Sequence, residues 1–156
     1  MNVTYINPFL EALTKVLQQF GIIDVDIGNL EKKERMQVTL DVTAVVGLVG
    51  DIKGNVAYSL SQDTARKLIS AMTSGMTTVD EFDAMARSAI GELSNMTTGM
   101  ASILLSKIGV NIDISPPSII VGEDIYFIIS SVQSIAVDIN TPAGRIEVNI
   151  EIEGVA

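Results

Sequence analysis

The chain contains neither cysteine nor histidine. Their absence excludes thiol nucleophiles, Ser-His-Asp triads, zinc fingers and imidazole acid–base catalysis together. Only 19% of the 156 residues are charged, but acidic residues outnumber basic ones by 19 to 10, which gives a net charge of −9. Such a surface repels phosphate backbones and anionic lipid headgroups, so neither nucleic acid nor a membrane surface is expected as a partner.

Long hydrophobic runs are missing as well. The longest charge-free stretch, Leu93 to Ser106, has 14 residues and is too short to cross a bilayer. The N-terminus lacks the basic stretch and apolar core of a secretion signal. With 47% hydrophobic residues, the composition predicts one folded domain over residues 1–156. The absence of cysteine fits a reducing compartment, so the protein is expected in the cytoplasm.

Hydrophobic periodicity in the first half predicts a helix followed by strands and a second helix. The first helix is predicted to start at Asn7-Pro8, with Asn as the N-cap and Pro in the first helical position, and to end at Gly21. Alternating residues then predict strands as far as Leu60, with a hairpin turn over 50–54. The second helix is predicted over about 62–72.

The second half is predicted to begin with a helix and to end in strands. A third helix is predicted over about 79–107, with Thr78 and Glu81 as a capping box. Strands over about 126–140 and 145–153 follow, and the last one alternates strictly, which predicts a solvated acidic face. This order predicts an α+β fold with helices packed on one face of a largely antiparallel sheet.

The third predicted helix has a polar face that is almost uncharged. Glu92 is its only charged residue between positions 87 and 107. At 100° per residue, Ser88, Glu92, Asn95 and Gly99 fall on one stripe. A separate apolar stripe, predicted to face the core, contains Phe82, Ile90, Leu93, Met96, Met100 and Leu104.

Two structural explanations compete with a functional one. Small residues on this face could let another helix of the chain pack closely, and Glu92 could cap a helix or pair with a lysine. However, Gly91, Gly99 and the Thr97-Thr98 pair weaken helix propensity by a few tenths to about 1 kcal/mol per residue. A merely solvated face gains nothing from that cost, whereas a face that admits another protein gains room around its carboxylate.

The residue types also suit a particular chemistry. The amide of Asn95 can hold a water molecule as donor and acceptor at once. Phosphoryl transfer depends mainly on positioning and charge stabilisation and needs no protein nucleophile. A glutamate one turn away, Glu92, can hold a lysine of a partner. This geometry alone names no substrate.

The segment Ser88-Ala-Ile-Gly-Glu92-Leu-Ser-Asn95 resembles the signature of the CheC, CheX and FliY phosphatases of bacterial chemotaxis. That signature is Asp or Ser, three residues, Glu, two residues, Asn, and then a Pro a little over twenty residues on. Pro116 and Pro117 follow the Asn with 20 and 21 residues between, so only the loop length departs from the pattern. The opening Asn7-Pro8-Phe9-Leu10-Glu11-Ala12 and the strand-rich ending are also similar to CheX.

The resemblance implies a CheC-like fold with an internal pseudo-two-fold repeat, and a function. In that family the Asn orients the water that attacks the aspartyl phosphate of the response regulator CheY, and the Glu contacts the regulator's active-site lysine. By resemblance, these catalytic roles fall to Asn95 and Glu92. The interface with the regulator's receiver domain is then predicted to contain Ser88, Gly91, Met96 and Gly99.

The resemblance also implies partners and cofactors. We expect a phosphorylated CheY-like receiver as substrate and a homodimer with one site per chain. No cofactor or metal of its own is expected, since Mg²⁺ would be carried by the phosphorylated partner. The acidic residues Asp80, Glu81 and Asp83 are expected to lie in the first helical turn, where they favour the helix dipole, rather than to bind a metal.

The first helix carries a related pattern. Asn7, Glu11 and Thr14 have the spacing of Ser88, Glu92 and Asn95. We interpret them as the other half of a duplicated motif, with chance spacing on an amphipathic helix as the alternative. The short hydroxyl of threonine cannot mimic a planar amide, so the first helix is predicted to be catalytically silent.

Two other functions remain open. A non-catalytic adaptor of the same fold would bind a receiver or a flagellar switch protein, although a pure binder has no need of the water-orienting Asn95. A structural dimer would instead pack its small-residue face on itself and bury Ser88, Asn95 and Gly99 there.

Overall fold

A computed structural model describes residues 3–38, 40–75, 83–122, 127–130 and 133–153. Helices and strands alternate in blocks along these residues. In chain order they are α1 (Val3–Gln19), β1 (Asp26–Lys33), β2 (Met36–Val38), β3 (Val42–Gly50), β4 (Lys53–Leu60), α2 (Gln62–Met72), α3 (Ala84–Ser106), β5 (Ile112–Ile114), β6 (Ser118–Val121), β7 (Phe127–Ser130), β8 (Ser134–Thr141) and β9 (Gly144–Glu153).

The main sheet has the order β1-β8-β9-β4-β3, and both β5 and β6 pair with the far side of β3. Every pairing is antiparallel, as predicted. At the centre, β4 and β9 pair continuously from Lys53 opposite Glu153 to Leu60 opposite Ile146. The short strands β2 and β7 form a separate two-stranded ribbon.

The strand order has an internal two-fold symmetry. Exchanging α1, β1, β3 and β4 with α3, β5/β6, β8 and β9 gives the same order read from the other edge. The two hairpins β3–β4 and β8–β9 exchange with each other, and their strands β4 and β9 pair at the centre of the sheet. The internal repeat implied by the resemblance is therefore present.

The helices cover one face of the sheet and enclose the core, which confirms the predicted layering. Phe9, Leu17 and Leu105 are fully buried on the helix side. They join one hydrophobic cluster with alternate sheet residues such as Val56 and Val148. Burial of apolar area, at roughly 25 cal/mol per Å², is the main stabilising contribution of this layer.

Helix α1 begins earlier than predicted. It starts at Val3, so Pro8 lies inside the helix rather than in its first position. Pro8 lacks the N–H that would bond to the carbonyl one turn back. Ile6 on the preceding turn and Phe9 after it are both fully buried, and their packing outweighs that lost bond. The predicted end is correct, since Gly21 has a φ of +83°.

Helix α2 has its predicted bounds, whereas α3 starts later than predicted. The carboxylate of Asp83 accepts a hydrogen bond from the Ala86 N–H at 2.9 Å and caps α3. Asp83 is therefore the N-cap and not part of the first turn. The predicted capping box Thr78–Glu81, together with Asp80 and Phe82, lies outside the described residues.

The predicted solvated face of the last strand is wrong. Asn149 and Glu151 are 0% and 4% exposed. On this side of the sheet, β2 contacts β9, and Met36 and Val38 of β2 are buried outside the main core. The β2–β7 ribbon thus lies against the second face. Likewise, the single long strand predicted over 126–140 is divided between β7 in the ribbon and β8 in the sheet.

Candidate active site

Helix α3 presents the motif on its outer side. Ser88, Glu92 and Asn95 are exposed on successive turns, while Met96 and Gly99 are half-buried beside them. Glu92 and Asn95 are three residues apart, so about 5–6 Å separates their Cβ atoms. The polar stripe predicted from the sequence is therefore present and faces away from the sheet.

The inner side of α3 is built differently from the prediction. The hydroxyls of Ser94, Thr97 and Thr98 are buried and donate to carbonyls of the preceding turn at 2.8 Å each. Met100 and Leu104 were predicted to face the core but are only half-buried. The three hydroxyl-bearing residues lie on the buried side of the helix instead. Thr97 and Thr98 thus face the core and make no room for a partner.

The turn of α3 that carries Asn95 is anchored to the sheet. The hydroxyls of Tyr58 on β4 and Thr98 are 2.9 Å apart in a buried hydrogen bond. Burial raises the pKa of Tyr58 above its ordinary value, because the tyrosinate anion would lose its hydration there. This contact connects the centre of the sheet to the residue three positions after Asn95.

A groove of about 700 Å³ separates α3 from the loop between β5 and β6. Its lining residues are Arg87, Ser88, Gly91, Glu92, Asn95, Ile114, Ser115, Pro116, Pro117 and Ile119. The segment Ser115-Pro116-Pro117 therefore forms the wall opposite the motif. Sequence reasoning did not assign Arg87 and Ser115 to the site, although each directly precedes a feature that it did single out.

The two motif glycines have different surroundings. Gly91 is buried, and a Cβ there would make ordinary van der Waals contacts with the opposite wall, 3.6 Å from Pro117 Cγ and 3.8 Å from Ile119 Cδ1. A Cβ on Gly99 would meet no atom within 4 Å. No other helix of the described chain therefore needs Gly99 for close packing.

Glu92 and Asn95 are not engaged by the protein itself. Within the described part of the chain, neither side chain makes a hydrogen bond or an ion pair. The explanation that Glu92 serves as a cap or pairs with an intramolecular lysine is therefore not supported. Its carboxylate is free to bind a cation, and the amide of Asn95 is free to donate to and accept from one water.

A second groove, of about 490 Å³, lies along α1. Asn7, Glu11 and Thr14 line it, at positions related to the motif by the internal repeat. Here the functional groups are occupied, since Thr14 donates to the Leu10 carbonyl at 2.9 Å and Glu11 pairs with Lys15 at 3.0 Å. The α1 groove therefore has residues at the spacing of the motif, but the side chains of Glu11 and Thr14 are already bound within the protein.

The described residues contain no group of three or more acidic side chains that could hold a metal ion. Nor is any of the helices they form both long and apolar enough to cross a membrane.

Comparison with known proteins gives consistent matches. A family model described as chemotaxis phosphatase CheX matches residues 42–140. A relative from Thermotoga maritima, described as CheY-P phosphatase CheX, is 32% identical over 125 residues, which is 80% of each chain.

Solved structures match over almost the whole chain. The chemotaxis protein CheX from Desulfovibrio desulfuricans is 27% identical, with a TM-score of 0.85 over 96% of this chain and 99% of that one. A chain of the CheX-CheY-BeF3-Mg²⁺ complex from Borrelia burgdorferi is 26% identical, with a TM-score of 0.74 over 96% and 98%. With the matched family model and the 32% identity, these findings show that the chain belongs to the CheX family of chemotaxis phosphatases.

Proposed function

We propose that the protein hydrolyses the aspartyl phosphate of a CheY-like receiver domain, with Glu92 and Asn95 entering the receiver's site. One observation carries this proposal. A carboxylate and an amide lie one helical turn apart on the rim of a groove, exposed and without any partner in the described chain. The family membership and the Thermotoga relative, which is described as acting on CheY-P, support the same substrate.

Asn95 would orient the attacking water. Its amide oxygen accepts one water proton and its N–H donates to the water oxygen, so the remaining lone pair points at phosphorus. As the bond from water oxygen to phosphorus forms, the bond from phosphorus to the aspartyl oxygen breaks. The electron pair stays on the receiver's carboxylate, and the water protons end on phosphate or solvent. An amide is not a base, so its contribution is positional.

Glu92 would fix the orientation of the two proteins. Its unpaired carboxylate is suited to a charge-assisted hydrogen bond with an ammonium group, and the receiver's active-site lysine would supply that group. Mg²⁺ would arrive with the phosphorylated receiver and neutralise charge on the phosphoryl oxygens. In this scheme the chain needs no cofactor of its own.

The proposal extends to location and assembly. A receiver in the cytoplasm requires a cytoplasmic phosphatase. A homodimer with one site per chain is part of the proposal and rests on family resemblance. The α1 groove would be silent in each protomer, because Thr14 and Glu11 are held by Leu10 and Lys15.

Loss of phosphate from a purified CheY-like receiver tests the function. Wild-type protein in catalytic amounts should accelerate it, Asn95→Ala should abolish the acceleration with binding retained, and Glu92→Ala should weaken binding as well. Full activity in either single variant would refute the assignment. Binding by the wild type without acceleration, over several receivers, would instead favour the adaptor function.

A further inference from the structure

Arg87 lines the groove and has no ion pair within the described residues. This differs from the other helices, where an acid and a base four residues apart do pair. Glu11 binds Lys15 at 3.0 Å on α1, and Asp63 binds Lys67 at 3.3 Å on α2. Arg87 also has an acid four residues before it, Asp83, yet this pair does not form.

The reason lies in the cap of α3. The Asp83 carboxylate accepts from the Ala86 N–H at 2.9 Å, so it is directed at the helix backbone. A cap of this type stabilises a helix by about 1 kcal/mol, more than an exposed pair four residues apart. The Asp83 carboxylate therefore binds the helix backbone, and the guanidinium of Arg87 stays exposed beside the motif.

The charge of Arg87 is unusual for its place. Among the described residues that line the groove it is the only basic one, in a chain with a net charge of −9. A phosphorylated receiver is anionic at its site, both at the phosphoryl oxygens and at the carboxylates that hold Mg²⁺. Without a local cation, the excess negative charge of this chain would oppose its approach.

We propose that Arg87 binds an anionic oxygen of the phosphorylated receiver. This inference rests on the proposed function, since it concerns the partner of the same site. Arg87 and Glu92 line the same groove, about 7.5 Å apart along the helix axis and about 140° apart around it, with Asn95 at an intermediate angle. A guanidinium offers planar paired donors to carboxylate or phosphoryl oxygens, so arginine fits better here than lysine.

Binding measurements test this proposal without depending on turnover. The probe is a CheY-like receiver loaded with Mg²⁺ and beryllofluoride, a stable mimic of the phosphoryl group, titrated by calorimetry beside the unloaded receiver. Arg87→Gln is compared with Arg87→Lys and with Lys107→Gln. The last variant makes the same charge change at the other end of α3, about 30 Å away, and is the matched control.

We expect Arg87→Gln to weaken binding of the loaded receiver about tenfold at low salt, with a shallower salt dependence than the wild type. Arg87→Lys should recover part of the loss, and Lys107→Gln should bind like the wild type. A loss confined to the loaded receiver assigns the contact to phosphoryl oxygens, and an equal loss with the unloaded one assigns it to carboxylates.

Two results would overturn the role of Arg87. Either Arg87→Gln binds as tightly as the wild type, or Lys107→Gln loses as much affinity, which would make the effect one of net charge. Failure of the proposed function would be seen in a separate measurement. If the wild type binds the loaded receiver but does not accelerate phosphate loss, the affinities of the Arg87 variants still decide whether Arg87 contacts the receiver.

Discussion

Gly47 in β3 and Ser115, the residue after β5, exchange hydrogen bonds. The Gly47 N–H donates to Ser115 Oγ at 2.8 Å, and the Ser115 N–H donates to the Gly47 carbonyl at 2.9 Å. A Cβ on Gly47 would lie 3.1 Å from that Oγ, so glycine allows the close approach. Through this pair the sheet positions the Pro116-Pro117 wall opposite Asn95.

Ser115→Ala should therefore impair substrate binding more than the chemical step. Removing Oγ leaves the Gly47 N–H without this partner, which costs about 1 kcal/mol and loosens the proline wall. We expect KM for phosphorylated receiver to rise about fivefold with kcat little changed. The control is Ser118→Ala, an exposed serine three residues on. Equal kinetics for both variants would contradict this role.

Substitution of Gly99 by leucine should raise the stability of the protein and lower its activity. A Cβ there meets nothing within 4 Å, so Gly99→Leu should raise the free energy of unfolding by roughly 0.5–1 kcal/mol through helix propensity. If the receiver docks over this turn, the added side chain should lower kcat/KM at least tenfold. Gln18→Leu, at the related position on α1, is the control. A stabilised Gly99→Leu with wild-type activity would remove Gly99 from the interface.

The α1 groove should contribute nothing to hydrolysis. Glu11→Gln breaks only an exposed ion pair with Lys15, and Thr14→Ala removes only a bond to the helix's own backbone. Both variants should stay within about twofold of wild-type phosphate release and lose less than about 1 kcal/mol of stability. A large drop in activity with an intact fold would show that the first half is a working site.

Tyr58 should make stability depend on pH in the alkaline range. Burial raises its pKa in the folded state, so the neutral hydroxyl is favoured by folding. Its contribution is present below the unfolded pKa of about 10 and is lost as the pH rises toward the folded value. Urea unfolding from about pH 8 to 11 should show a steeper loss for wild type than for Tyr58→Phe. Parallel curves would contradict the burial argument.

At neutral pH the same variant should be less stable. Tyr58→Phe removes the hydrogen bond to Thr98 and leaves the ring in place, which should cost about 1 kcal/mol in the free energy of unfolding. Tyr5→Phe, which changes a half-buried tyrosine near the start of α1, is the matched control.

Local signals in the sequence were sufficient for most elements. The helix ends at Gly21 and Gly109 both have positive φ, and the bounds of α2, Gln62–Met72, are those that hydrophobic periodicity predicts. The motif stripe on α3 needs only the helical period. Such features depend on a few neighbouring residues, which is why periodicity and capping predict them.

Long-range packing produced two of the errors. The start of α1 depends on burial of Ile6, which no local rule around Pro8 detects. The polar face of β9 is covered by a ribbon that joins two distant segments, so Asn149 and Glu151 are buried despite their alternation. Arg87 was missed for a local reason, because Asp83 was expected inside the first helical turn, whereas its carboxylate caps α3 and forms no ion pair with Arg87.

The central claim is that Asn95 directs a water onto the receiver's phosphoryl group. The most direct measurement is single-exponential loss of phosphate from a labelled CheY-like receiver, alone, with wild-type protein and with Asn95→Ala. The account predicts faster loss with wild type only, and equal binding of both proteins to the beryllofluoride-loaded receiver. Accelerated loss with Asn95→Ala, at the wild-type rate, would contradict it.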